Sequence, residues 1–197
     1  LRKANEWATW KENTPFRAGD NTTLAATIES PDNDNRKNAI QYILLHEFGH
    51  VLAVGQNVHP PWWVDDAEID SPGYPFFALS WRFSAQDRRF VTLIEDRFPL
   101  RKQVAYYADG KLEANQMASV YSELEASNFA SLYAATNPFD DFAESFVSYV
   151  HTVLMHKPLE IRISQDGKSV KLFESCWEAP RCGDKRKVLE RFIRAYQ

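Results

Sequence analysis

The chain has 197 residues, 44% of them hydrophobic, and a net charge of −4. That suits a single domain with its own core, in two lobes at most. With no lysine- or arginine-rich stripe, nucleic acid is not the expected partner. With no run of about 20 apolar residues, no helix is expected to span a membrane.

The chain opens Leu1-Arg2-Lys3, without an initiator Met or a signal peptide, so a processed or trimmed product is expected. Residues 1 to 14 carry Trp7 and Trp10 on a predicted helix. Thr22 to Glu29 reads as a threonine-rich strand. It leads through a polar loop, 30 to 38, toward a second helix, and an exposed edge there could hold an extended peptide by strand addition. Asp32 to Asn35 offer N-cap residues for that helix, and Ile40, Ile43, Leu44, Phe48, Val51 and Leu52 recur at helical spacing. Gly55 supplies a stop. With apolar residues on several sides, this segment reads as a buried helix.

Inside it stands His46-Glu47-Phe48-Gly49-His50, an H-E-x-x-H motif whose chance appearance in a chain this long is below about 1%. Residues i and i+4 lie one turn apart on one helix face, so His46 and His50 can both aim ring nitrogens at one metal ion. Glu47 projects about 100° further round, toward a water on that ion. This is a zinc-hydrolase arrangement of two ligands and a general base. Gly49 costs about 1 kcal/mol relative to alanine within a helix. It implies a close approach, either by something passing over that face or by packing against a second helix.

Residues 58 to 83 form an irregular excursion rich in proline and aromatics, from Pro60 through Trp62, Trp63 and Pro72 to Trp81 and Phe83. Packing on the core is its plainest role; lining a side-chain pocket is the other. Helical patterns are predicted over 84 to 97 and 112 to 134. Pro138 opens a further helix running to about Met155, in the first-turn position proline favours. Leu159 to Phe173 reads as a hairpin turning at Asp166-Gly167, and a final amphipathic helix spans about Asp184 to Ala195, its basic residues on a solvated face. Cys176 and Cys182 fit either a short-loop disulfide, which favours a periplasmic or secreted protein, or two cytosolic thiols.

A catalytic zinc wants a third protein ligand. The extension H-E-x-x-H-x-x-G-x-x-H fails, because Ala53 stands at its Gly and Gln56 at its His. His59 falls three positions late and beyond Gly55. The alternative is a carboxylate from the Pro138 helix, where Asp140 and Glu144 share a face (i, i+4) among Phe139, Phe142, Phe146 and Val147. A buried acidic pair repels itself unless a cation or donors compensate. Zinc supplies the cation, and a metal-bound histidine usually gives its other N–H to a carboxylate.

The run Tyr133-Ala134-Ala135-Thr136-Asn137-Pro138-Phe139-Asp140-Asp141-Phe142-Ala143 resembles a segment of the Mlc titration factor family of bacterial zinc peptidases. With HEFGH, the region also resembles the catalytic domain of anthrax lethal factor. The likeness covers the two ligand helices, about a quarter of the chain. It implies a gluzincin-like site in which Asp140 stands at the ligand carboxylate, Glu144 behind it, and Tyr133 at the tyrosine facing the substrate oxygen. Those families carry Glu where this chain has Asp140, one methylene shorter. Either the helix sits closer to the metal, or Glu144 is the ligand with Asp140 behind it; register with Tyr133 favours Asp140. His151, three turns along the same face, is expected to be structural.

The resemblance implies Zn2+ held by His46, His50 and Asp140, hydrolysing a peptide or protein substrate. Glu47 would act as general base, Tyr133 would donate to the oxyanion and Glu144 would orient His46. A zinc-bearing regulatory module with a protein partner is the rival, because the Mlc titration factor family combines peptidase architecture with partner binding. The expected fold is α+β, a two-lobed zincin-like domain, mostly helical, with a small sheet beside the metal helix. Residues 1–57 would form the strand and metal-helix lobe, 84–157 the helical lobe with the third ligand, and 158–197 an accessory hairpin and helix.

Overall fold

A computed structural model describes residues 3–19, 21–63, 69 and 73–196. The fold is α+β, with five α-helices and small antiparallel sheets among these residues. Pro72, named above, lies outside the described residues.

Helix α1 (Ala4–Asn13) precedes strand β1 (Thr22–Thr27) and helix α2 (Arg36–Ala53). Asn35 caps α2 by accepting from the Asn38 N–H at 3.0 Å, and Gly55 follows the helix at φ +75°. A hairpin joins β2 (Trp81–Ser84), at the end of the stretch read as an irregular excursion, to β3 (Arg89–Thr92), where a helix over 84 to 97 was expected. Its aromatic residues alternate at period two, with Phe83 against Phe90 at 5.7 Å between ring centroids, and Arg88 takes a left-handed φ of 50°. Two 3-10 turns, Glu95–Arg97 and Pro99–Gln103, follow.

The helix expected over 112 to 134 shortens to α3 (Met117–Glu125) with a separate 3-10 turn at Tyr133–Ala135. Ser127 ends it, because its hydroxyl donates to the Leu124 carbonyl (2.6 Å) and accepts from the Phe129 N–H (3.2 Å). Helix α4 (Pro138–Tyr149) starts with proline in its first turn and continues as a π-helical turn, Val150–Leu154. The hairpin β4 (Glu160–Gln165) and β5 (Lys168–Glu174) turns at Asp166 and Gly167, both at positive φ. Helix α5 (Gly183–Arg194) closes the chain.

The larger sheet runs β1-β4-β5, so the C-terminal hairpin is built into the sheet and supplies its central strand. Leu24, Ala26, Ile161, Ile163 and Phe173 of this sheet belong to the main core, with Tyr121 and Leu124 of α3. A second core of Phe76, Phe142, Trp177, Leu189 and Phe192 packs α5 on α4 and contains the Cys176–Cys182 disulfide. Lys185 departs from the solvated face expected of α5: it is buried against Asp141 of α4.

The free edge of β1 is closed. Asn5, Thr9 and Asn13, one stripe of α1 at i, i+4 and i+8, bond the backbone that β4 leaves unpaired. Asn5 Oδ1 accepts from the Ile28 and Glu29 N–H groups at 2.7 and 2.9 Å. Thr9 Oγ1 accepts from the Ala26 N–H at 2.9 Å, and Asn13 Nδ2 donates to the Leu24 carbonyl at 3.1 Å. Strand addition to β1, raised from the sequence, therefore has no open edge to use.

Helix α2 is also less buried than its sequence implies. Ala39, Tyr42, Gly49 and Ala53 face inward, while Ile40, Leu44, Phe48 and Val51 are 40 to 64% exposed. The inward face crosses α4 at Gly49, where an added Cβ would stand 2.8 Å from the Ala143 Cα. The glycine serves helix packing. Gly49→Ala gains about 1 kcal/mol of helix propensity, but overpacking against backbone costs about 1–3 kcal/mol. A lowered melting temperature is expected, and a variant melting at or above the parent would show that the helices part freely.

Candidate metal centre

The crossing of α2 and α4 builds the site. His46 and His50 stand three residues before and one after Gly49; Asp140 and Glu144 stand three before and one after Ala143. Close contact at Gly49 and Ala143 therefore sets the two pairs face to face.

His46 Nε2 and His50 Nε2 are 3.2 Å apart, and Asp140 Oδ1 lies 3.6 and 3.4 Å from them. Ligands bound at about 2.0–2.1 Å in a tetrahedron stand about 3.3–3.4 Å from one another. Two imidazoles and one carboxylate at these separations could hold a metal ion. Among the described residues, these three form the group of ligand-type side chains close enough to share an ion. Asp140 Oδ2 is taken by Asn137 Nδ2 at 2.6 Å, which leaves Oδ1 to face the histidines. Asn137 also caps α4, accepting from the Phe139 and Asp140 N–H groups.

Glu144 stands behind the histidines. Its Oε1 lies 3.0 Å from His46 Nδ1, and its Oε2 accepts from Ser131 Oγ at 2.6 Å. The shorter Asp140 side chain thus reaches both Nε2 atoms, and Glu144 meets the far side of the His46 ring. Tyr133 stacks on that ring at 5.7 Å between centroids and 20° between planes. Glu47 is solvent-exposed and lines a cleft with His46, Tyr107 and Tyr133.

Electrostatics follow from this packing. Burial alone lowers the His46 pKa, but Asp140 and Glu144 outweigh it and raise it to about 9 in the metal-free protein. Burial raises Asp140, yet bonds from His46, His50 and Asn137 carry it well below the usual carboxylate range. Glu144 is likewise held low, by Lys11 and His46 against its burial. Burial, then Asp140, pushes the Tyr133 phenol up, so it stays a donor at neutral pH.

His59 is not among the ligands. It is buried edge-on to Phe139, with Nδ1 3.0 Å from the Pro60 carbonyl. His151 lies 2.7 Å from the Ile28 carbonyl, a structural contact as expected. Sequence reading missed Lys11, Ser131 and Asn137. The Asn-Pro opening of α4 marks Asn137 as a cap, but nothing in the α1 sequence distinguishes Lys11 from a solvated lysine.

Compared with known proteins, the chain matches no family model, no curated protein and no solved structure.

Proposed function

We propose that the chain is a zinc-dependent peptidase of two-lobed, zincin-like design, cleaving peptide bonds within a peptide or protein substrate. The observation that carries this reading is the convergence of His46, His50 and Asp140, with the exposed Glu47 lining the same cleft as His46. Zinc bound there would polarise the scissile carbonyl and bring the pKa of water near 7. Glu47 takes a proton from the attacking water and passes it to the leaving amine. Tyr133, kept protonated, donates to the developing oxyanion. Glu144 fixes the orientation of His46. The Cys176–Cys182 disulfide supports an oxidising compartment, periplasmic or extracellular.

Zinc content by elemental mass spectrometry tests the reading, with about one ion per chain expected from the site's single donor set. Asp140→Asn should lose that zinc, and Glu144→Gln should bind it about 10–100-fold more weakly. A parent chain that takes up no zinc at neutral pH would overturn the proposal.

A second reading, a zinc-bearing regulatory module with a protein partner, draws on the exposed apolar row Ile40, Leu44, Phe48 and Val51 of α2. Zinc without any Glu47-dependent cleavage of an unstructured protein would favour it.

A further inference from the structure

Lys11 reaches the metal centre from α1. Its ammonium is buried and donates to Glu144 Oε1 at 2.9 Å, with the two side chains only 6% and 2% exposed. The Nζ also lies over the Tyr133 ring, 4.8 Å from its centroid. The Glu144 oxygen that it holds is the one 3.0 Å from His46 Nδ1. A carboxylate turns readily about its last torsion. Here Ser131 fixes one oxygen and Lys11 the other, from two separate parts of the chain. Glu12, 3.9 Å from the ammonium, is held independently by the hydroxyls of Tyr106 and Tyr121 at 2.7 and 2.6 Å.

We propose that Lys11 is a positioning residue of the metal centre: it pins Glu144 Oε1 against His46 Nδ1, and so aims His46 Nε2 at the point shared with His50 and Asp140. The inference rests on reading those three residues as a zinc site. The competing role is a bolt between α1 and α4. Buried ion pairs are weak evidence of added stability, and a bolt would change melting without changing metal affinity.

The test is zinc titration of the metal-free protein against a competing chelator, with melting of the metal-free form measured alongside. Lys11→Met and Lys11→Gln, whose amide is too short to replace the ammonium, should each bind zinc about 10–100-fold more weakly. In a Glu144→Gln background the same changes should matter less than about twofold, because they act through Glu144. If Lys11→Met fails to fold, Lys11→Gln decides. Parental zinc affinity in the Lys11 variants, even with lower melting, would overturn the proposal. So would an equal loss in both backgrounds. A parent chain that binds no zinc would instead defeat the metal reading itself, a failure seen before any variant is compared.

Discussion

Glu47→Gln is expected to bind as much zinc as the parent chain and to lower peptide hydrolysis by about 10²–10⁴-fold. Glutamine keeps the shape of glutamate but cannot take a proton from water. Glu47 is exposed, lines the cleft, and stands outside the His46, His50 and Asp140 group, so neither folding nor metal uptake depends on its charge. Tyr133→Phe should retain zinc too, with a loss of about 10²–10³-fold from one missing oxyanion donor. The measurement is kcat/KM on an unstructured protein substrate, alongside metal content of the same samples. Undiminished cleavage by Glu47→Gln would remove it as the base. Loss of zinc would make it part of the ligand set.

The largest stability effect is expected at Lys185→Met. Lys185 Nζ lies 2.7 Å from Asp141 Oδ2, which also accepts from Trp81 Nε1 at 2.9 Å. Both charged side chains are essentially inaccessible, and the ammonium sits between the faces of Phe76 and Phe129 at 5.0 and 4.7 Å. Methionine fills the space but strands the Asp141 carboxylate, which costs about 3–5 kcal/mol. That is a large share of the roughly 5–15 kcal/mol that holds a domain folded. Each kcal/mol lowers the melting temperature by about 2–4 °C at this size. Adding Asp141→Leu should restore part of the loss, since a paired apolar replacement removes the orphaned charge. Denaturant melts decide it: a Lys185→Met chain as stable as its parent would mean that Asp141 takes up a proton at little cost.

Local chemistry was legible where one segment decides it. The H-E-x-x-H helix, a cap among Asp32 to Asn35, the proline opening of α4 and the Asp166-Gly167 turn were each read from neighbouring residues, and the structure has them, with Asn35 as the cap. The β2–β3 hairpin was read as the end of an irregular excursion and the start of a helix, because Trp81, Phe83 and Phe90 sit among prolines and charges that blur a two-residue period. Distant partners were out of reach. Asp140 and Glu144 were picked out as a pair, but their division of labour depends on how closely α4 approaches α2, and that is set by Gly49 and Ala143 together. Lys185 was read with the solvated face of the last helix and Lys11 was not singled out, because burial of a charge depends on a partner elsewhere in the chain.

Helix α1 does two jobs: its Asn5, Thr9 and Asn13 stripe seals β1, and its Lys11 reaches Glu144, 133 residues away. The Lys11–Glu144 contact forms only once a loop of 133 residues has closed. Until α1 docks, β1 is a bare strand whose open N–H and C=O groups can pair with a neighbouring chain. Docking of one short helix therefore separates a sealed sheet from one open to strand exchange and aggregation.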